Sequence, residues 1–225
     1  MNILIIVAGT NDPSNSHMLA ESFEEGISSY SSEIEIEMIR LKDLSIDHFN
    51  LTHYKEEVKE EEDFIRIKKH MIESSGIVLA SPIWNFGVPA HLKNLMDRIG
   101  SFALDKTRSQ GTLNGKPFYL IFTGGAPIPA WKGLIRKTSS YVSESIKYFG
   151  GTIFSTHFEP KCTAGKGGFK LVVDKRENSL DKLKEEGARF AEMTDKYAKN
   201  GKLPVKQKCV KKMYSIGQRI SKKVT

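Results

Sequence analysis

The chain has 225 residues, a formal net charge of +7 and two cysteines, Cys162 and Cys209. This length suits one domain with extensions and leaves little room for two full domains. The cysteines are far apart and lack paired spacing, which excludes a disulfide framework and a cysteine-based metal site and indicates a reducing compartment. No basic region precedes an apolar run at the start, and no apolar stretch approaches about 20 residues, so we expect a cytoplasmic protein without a membrane span.

Positive charge is concentrated towards the C-terminus. Residues 1–160 hold 16 Lys/Arg against 20 Asp/Glu, whereas residues 161–225 hold 18 against 7, and no acidic residue follows Gly201. We therefore expect a domain over residues 1–200 and a basic tail or helix over residues 201–225. The apolar residues of this tail recur at helical spacing and form one stripe: Val205, Cys209, Met213, Ile216 and Ile220. We expect the stripe to pack on the domain or on a neighbouring subunit, with an anionic partner as the alternative.

The first strand and the loop after it suggest a phosphate site. Residues 3–8 are apolar at every position, which is typical of a central parallel strand covered on both faces. A loop rich in small and hydroxyl-bearing residues then enters a helix that runs to about Ser29. Such a loop can place hydroxyls, backbone N–H groups and a helix N-terminus around a phosphate. The alternative is an ordinary helix cap at Ser14 or Asn15. Neither a GxGxxG fingerprint nor a GxxxxGK[ST] loop occurs, which argues against a Rossmann dehydrogenase and a nucleoside triphosphatase.

The middle of the chain alternates strands with helices. Residues 33–39 alternate polar and apolar, which predicts an edge strand. The acidic run at residues 56–63 favours a solvated helix start over a metal site, and the helix continues to Ile72. Further strands are predicted over residues 76–80, 117–123 and 152–156, and a closing helix from Leu180 to about Lys199. A helical stripe is predicted between the fourth and fifth strands: Trp131, Leu134, Ile135, Thr138, Tyr141, Val142, Ile146 and Phe149.

Residues 81–99 form a strand–loop–helix unit around which the rest of the chain is organised. The loop leaves a buried strand at its carboxyl end, where open α/β sheets bind their ligands. Pro89 suits the first position of the following helix. At the end of the fourth strand, Thr123-Gly124-Gly125 lets backbone approach a flat ligand closely, although a tight strand-to-helix turn is the alternative.

These segments together resemble one family. The stretch Pro82-x-Trp84-Asn85-Phe86-Gly87-Val88-Pro89-x-x-Leu92-Lys93-Asn94-x-x-Asp97-Arg98 resembles the isoalloxazine-binding loop of flavodoxin-like NAD(P)H-dependent FMN reductases, quinone reductases and azoreductases. Thr10 and Ser14-Asn15-Ser16 resemble the phosphate loop of the same family, and Thr123-Gly124-Gly125 its second ring-binding segment. One departure is Asp12, which stands in a loop where many members carry an arginine. The resemblance covers about residues 1–157.

The resemblance implies an α/β fold, a flavodoxin-like three-layer sandwich. Its five-stranded parallel sheet has the order 2-1-3-4-5 with helices on both faces, and here a basic C-terminal extension follows. It also implies noncovalent FMN and a hydride passed from NADPH or NADH, through flavin N5, to a quinone, flavin, azo or similar small-molecule acceptor. We expect no catalytic side chain and no metal. We expect the chain to form a homodimer or a homotetramer. The expected FMN-binding residues are Thr10, Ser14, Asn15, Ser16, His17, Pro82, Ile83, Trp84, Asn85, Phe86, Thr123, Gly124 and Gly125.

Two alternatives stay open. The first is a flavodoxin-type one-electron carrier without its own nicotinamide reductase activity, although carriers of this fold are usually acidic. The second is a scaffold whose basic tail binds nucleic acid or an anionic surface. We do not expect nucleic acid as the partner.

Overall fold

The computed structural model describes residues 1–55, 58–163 and 170–224. Five parallel strands form one sheet of order β2-β1-β3-β4-β5, which confirms the predicted topology. The strands are β1 (Asn2–Val7), β2 (Glu35–Arg40), β3 (Gly76–Pro82), β4 (Pro117–Thr123) and β5 (Thr152–Glu159). In register, Ile5 of β1 lies opposite Met38 on one side and Val78 on the other. This order places the carboxyl ends of β1, β3 and β4 side by side.

Helices connect the strands and extend beyond them. They are α1 (Asn15–Tyr30), α2 (Glu62–Glu73), α3 (Ala90–Ile99), α4 (Ile128–Ala130), α5 (Arg136–Thr138), α6 (Ser140–Tyr148), α7 (Glu177–Asn200) and α8 (Val205–Val224). Short 3₁₀ turns occur at Leu41–Asp43, Leu51–Tyr54 and Val173–Lys175. Pro89 is the N-cap of α3 instead of its first residue. Residues 56 and 57 of the acidic run, and residues 164–169, lie outside the described residues.

Apolar side chains cover both faces of the sheet. On one face, side chains such as Ile5 and Val78 pack against Phe23 of α1 and Phe190 of α7. The other face packs against α2, α3 and α6. Strands β3 and β4 are buried along their whole length, which explains their continuous apolar sequences, whereas β2 lies at the edge and alternates.

Two glycines bring α1 and α7 into close contact. A Cβ added to Gly26 would lie 2.0 Å from the Lys184 carbonyl oxygen, and one added to Gly187 would lie 2.2 Å from the Phe23 carbonyl oxygen. Backbone therefore meets backbone where these helices cross, and any side chain at either position would force them apart. We refer to Gly26 and Gly187 as the glycine seam.

The prediction of one continuous helical stripe between β4 and β5 is wrong in part. A five-residue π turn, Trp131–Ile135, interrupts the helical segment between α4 and α5. A π turn inserts one extra residue and shifts every later position around the helix axis. As a result Leu134 is 57% exposed, while Trp131 is buried and stacks on Phe158 at 4.1 Å between ring centroids.

A buried ion pair joins α2 to α3. Arg98 is fully buried and donates two hydrogen bonds to the Glu61 carboxylate, from Nη1 at 2.9 Å and from Nη2 at 2.7 Å. Its guanidinium also lies 4.0 Å from the Phe64 ring centroid. Arg98 of the family-like motif therefore joins α3 to the start of α2.

The basic tail is a helix, but its apolar stripe does not pack on the domain. Gln207, Lys211, Tyr214 and Gln218 hydrogen-bond to Phe154, Asn114, Glu144 and Tyr148 respectively. The predicted stripe lies on another face of α8 and is exposed, with Met213 at 69%. Within the described part of the chain, the helices are too short or too polar to cross a bilayer.

Candidate functional site

Two serine hydroxyls meet at the start of α1. Ser14 caps the helix by accepting a hydrogen bond from the His17 N–H at 3.4 Å, and its Oγ lies 3.1 Å from Ser16 Oγ. Both serines are buried. A Cβ added to Gly9 would lie 2.3 Å from Ser16 Oγ and 2.4 Å from Ser14 Oγ. The loop therefore forms a small cradle of hydroxyls at a helix N-terminus, a setting that favours an anion.

Asp12 does not oppose that anion, because its carboxylate is held on the far side of the loop. Arg40 and Lys42, at the end of β2, each lie 2.6 Å from an Asp12 oxygen. Hydrogen bonds from Lys42 and Arg40 hold the pKa of Asp12 below its ordinary value. The departure from the family pattern thus anchors the loop to the edge strand, and its negative charge is neutralised there.

Two residues predicted to contact the phosphate have other roles. The Asn15 side chain accepts from the Val172 and Val173 N–H groups at 2.9 and 3.2 Å and so ties down the segment that follows residue 169. The His17 Nε2 atom lies 3.9 Å from a Glu21 carboxylate oxygen on α1. The His17 side chain does not line the cleft at the carboxyl ends of the strands. Asn15 still borders that cleft at the first turn of α1.

The loop after β3 ends in a two-residue turn between Trp84 and Gly87. The Trp84 N–H donates to the Gly87 carbonyl at 2.8 Å and the Gly87 N–H returns to the Trp84 carbonyl at 2.9 Å. Asn85 and Phe86 at the tip have positive φ, 48° and 66°, as a type I′ turn requires. The resemblance implies that the backbone N–H groups of Trp84, Asn85 and Phe86 face the flavin ring. That expectation is wrong for Trp84, whose N–H closes the turn. Asn85 and Phe86 are exposed, and Phe86 is 56% accessible.

The Thr123-Gly124-Gly125 segment continues the sheet pairing by one residue past the end of β4, and the chain turns after that. The Gly124 N–H donates to the Glu159 carbonyl at 3.1 Å, because the β4–β5 ladder continues past Thr123. Two glycines at the end of a strand can turn their N–H groups towards the flavin. This expectation is wrong for Gly124, because its N–H is already bonded to Glu159. The Gly125 N–H has no acceptor among the described residues, so it is the available donor at this position.

These segments surround one cleft at the carboxyl ends of β1, β3 and β4. Thr10, Ser14, Asn15, Ser16, Pro82, Ile83, Trp84, Thr123, Gly124 and Gly125, all predicted from the sequence, line it, together with Gly9, Asn11, Cys162 and Thr163. His17, Asn85 and Phe86 do not. Burial raises the pKa of the Cys162 thiol to about 11, so none of the described side chains that line the cleft is charged near neutral pH. A larger cavity of about 630 Å³, along the free edge of β5 and beneath α8, shares no lining residue with it.

Supporting residues around the cleft were missed by sequence reasoning. His91 Nε2 lies 2.8 Å from the Ala8 carbonyl oxygen and joins α3 to the end of β1. Thr138 Oγ donates to the Phe86 carbonyl and fixes the turn. Each of these contacts joins residues more than 50 positions apart, so no local sequence pattern predicts it.

A buried carboxylate fixes the other side of the cleft. Glu159 at the end of β5 accepts from Arg176 at 2.5 Å and Ser179 at 3.2 Å, and lies 3.1 Å from His157 Nε2. Burial opposes its ionisation, but the hydrogen bonds from His157 and Arg176 outweigh it, and the pKa of Glu159 is held below its ordinary value. This cluster positions the chain that leads to Cys162.

The cleft and fold match known proteins. Residues 1–130 match the family model of NADPH-dependent FMN reductases. A curated relative, the FMN-dependent NADH:quinone oxidoreductase of Erythrobacter litoralis (strain HTCC2594), is 28% identical over 72% of this chain and 88% of its own length.

Solved structures with the same fold include two oxidoreductases. The NAD(P)H:quinone oxidoreductase from Methanothermobacter marburgensis is 17% identical, with a TM-score of 0.66 over 84% of this chain and 96% of its own. The FMN-dependent NADH-azoreductase from Bacillus anthracis str. Ames Ancestor, solved with FMN, is 19% identical, with a TM-score of 0.59 over 85% of this chain and 100% of its own. The family match spans more than half of the chain and includes the hydroxyl cradle, the turn after β3 and Thr123-Gly124-Gly125. The chain therefore belongs to the NADPH-dependent FMN reductase family.

Proposed function

We propose that this member of the family passes a hydride from NADPH or NADH, through FMN bound in the cleft, to a quinone, azo compound, flavin or similar small-molecule acceptor. The observation that carries the proposal is the make-up of the cleft. It has an anion-binding hydroxyl cradle at one end, an exposed aromatic turn at the other, and no charged side chain among the described residues that line it. The curated relative, by name an FMN-dependent NADH:quinone oxidoreductase, supports the same chemistry.

The hydroxyl cradle fits the FMN phosphate. Ser14 and Ser16 supply hydroxyl donors at the N-terminus of a 16-residue helix with no acidic residue in its first turn. The space above Gly9, which a Cβ would fill, lets both hydroxyls converge. No side-chain cation is needed there, because backbone and hydroxyl dipoles supply the positive potential.

The other end of the cleft fits a flat, partly polar ring. Trp84 provides an apolar wall, and the tip of its turn offers the Asn85 and Phe86 N–H groups, which have no acceptor among the described residues. The Gly125 N–H approaches from β4, where it would stabilise negative charge on the ring. When bound, FMN supplies the hydride chemistry. The chain itself binds and orients the ring and leaves one face accessible.

Removing the cradle hydroxyls tests where FMN binds. Each hydrogen bond to a charged group contributes about 1.5–3 kcal/mol, so Ser14→Ala with Ser16→Ala should weaken FMN binding at least tenfold, measured by quenching of flavin fluorescence. The matched control is Ser28→Ala with Ser32→Ala, two exposed serines outside the cleft. If the purified protein is colourless and does not bind added FMN, the proposal is wrong.

Anaerobic reduction separates the enzyme from the one-electron carrier. NADH or NADPH alone should bleach the bound flavin. Turnover with a quinone should give parallel lines in double-reciprocal plots, because donor and acceptor use one ring face in turn. If neither nicotinamide reduces the flavin, the carrier alternative is correct.

We also propose that a second copy of the chain covers the open side of the cleft, in a homodimer or homotetramer in the cytoplasm. Phe86, Ile128 and Leu134 are exposed apolar side chains on the two segments that Thr138 joins. Light scattering after size-exclusion chromatography should give at least twice the mass of one chain. Both cysteines are free thiols, as in a reducing compartment.

A further inference from the structure

Helix α8 presents opposite faces to the domain and to solvent. The side chains that hold it to the domain, including Gln207, Tyr214 and Gln218, hydrogen-bond to β5 and to α6. At 3.6 residues per turn, Val205, Cys209, Met213, Ile216 and Ile220 fall within an arc of about 80° on the other side of the helix. These five stripe residues are all exposed. The domain thus holds α8 with its apolar stripe directed outward.

Cations border this stripe and have no acidic partner. Lys208, Lys212 and Arg219 follow one border and Lys206 lies on the other. All four are exposed, and none forms an ion pair within the described ranges of the chain. By contrast, Lys211 and Lys222 point to the domain, towards Asn114 and Asp105. The cations beside the stripe are therefore the ones that do not bind the domain.

We propose that α8 is an interfacial helix that binds the protein to an anionic lipid surface. Interfacial helices bury an apolar stripe at the boundary between head groups and acyl chains, while flanking lysines reach the anionic head groups. With 20 residues, α8 is about 30 Å long, and a flat surface can contact the whole stripe at once.

The charge pattern favours this occupant over two others. In a pair of α8 stripes from two copies, the bordering cations of both chains would lie close together and repel each other. A nucleic-acid backbone would satisfy the cations but would leave the apolar stripe without a partner. Only an anionic lipid surface satisfies the stripe and its cations together.

Flotation with vesicles tests the proposal on the full-length, FMN-loaded protein. We expect binding to phosphatidylcholine vesicles that contain about 30% phosphatidylglycerol, and little binding to phosphatidylcholine alone. Met213→Gln with Ile216→Gln removes apolar stripe contacts, and Lys208→Glu, Lys212→Glu and Arg219→Glu reverse the border. Each set should raise the lipid concentration for half-binding about tenfold or more.

Matched controls test whether vesicle binding depends on α8 or only on the overall exposed apolar area and net charge. Leu51→Gln with Ile65→Gln changes two exposed apolar side chains elsewhere, and Lys69→Glu, Lys106→Glu and Lys175→Glu changes net charge by the same amount as the border variant. Neither control should alter vesicle binding. Three results would each overturn the proposal: no preference for anionic vesicles, equal losses in both charge-reversal variants, or a stripe variant that lowers the molar mass while vesicle binding is kept. FMN absorbance, read in parallel, reports on the cleft separately.

Discussion

Gly9 stands where the Ser14 and Ser16 hydroxyls converge, so its missing side chain shapes the phosphate end of the cleft. The atoms that an added Cβ would meet are the ends of two short side chains, which can rotate away. Gly9→Ala should therefore lower the free energy of unfolding by only about 1 kcal/mol, through loss of the Ser14 cap, and should weaken FMN binding about tenfold or more, because both hydroxyls lose their position. Gly133→Ala is the control, since its Cβ meets nothing within 4 Å. Equal FMN affinity in both variants would show that the cradle does not hold the phosphate.

Phe86 has a conformation that suits glycine better. Its φ of 66° costs an L-residue about 1–2 kcal/mol, and its exposed ring buries little area in return. Phe86→Gly should keep or raise the free energy of unfolding while it weakens FMN binding, because the exposed aromatic ring beside the mouth of the cleft is lost. Chemical denaturation and flavin titration measure the two effects.

Asn85→Gly is the comparison for this variant, because it changes the other residue of the turn tip and keeps the backbone N–H. It should leave FMN affinity close to that of the wild type. A large loss of stability in Phe86→Gly would show instead that the ring packs within the subunit.

The residue types of the cleft were predictable, but several of their roles were not. Hydroxyls, glycines and an aromatic turn follow from chemistry that is local in sequence, and most of the predicted residues line the cleft. The side chain of Asn15 ties to residues 172 and 173, and Asp12 pairs with Arg40 and Lys42. Such partners depend on which segments the fold brings together.

At the scale of elements, the Glu61–Arg98 pair joins two helices and should contribute to the loss of stability in acid. The hydrogen bonds from Arg98 hold the pKa of Glu61 at about 2, below its ordinary 4.5. A pKa lowered by folding adds stability that is complete above about pH 4.5 and is lost as the pH falls towards 2. Glu61→Gln should lower the free energy of unfolding at pH 7 by about 3 kcal/mol, because Arg98 is then buried without a counter-charge.

The control for this change is Glu37→Gln, which breaks a surface pair with Arg66 and should cost less than about 1 kcal/mol. Urea unfolding at several pH values measures both variants. The Glu61→Gln protein should also show a flatter loss of stability between pH 4.5 and 2. An acid response as steep as that of the wild type would contradict this account.

Strands and helices were largely predictable because the apolar pattern matches burial. Strands β3 and β4 are apolar along their length because both faces are covered, and β2 alternates because it is at the edge. The π turn at Trp131–Ile135 was missed, because periodicity alone cannot show one extra residue that lets Trp131 stack on Phe158.

At the scale of the whole molecule, α8 packs on the outside of the domain and takes no part in the cleft. No α8 residue within the described part of the chain lines the cleft. A chain that ends at Gly201 should therefore bind FMN with unchanged affinity. It should lose about 2–6 kcal/mol of unfolding free energy, because four hydrogen bonds to the domain contribute about 0.5–1.5 kcal/mol each. Weaker FMN binding in the shortened chain would show that α8 supports the cleft.

The glycine seam also bears on the order in which the molecule is completed during synthesis. Gly26 contacts the backbone of Lys184, so the helix that begins with the hydroxyl cradle packs against a segment that is synthesised more than 150 residues later. Until that segment emerges from the ribosome, one face of α1 lacks its partner, and nascent chains expose such surfaces. The helix at the phosphate end of the cleft is therefore fully packed only once α7 has emerged, and we expect FMN to load after that point in translation.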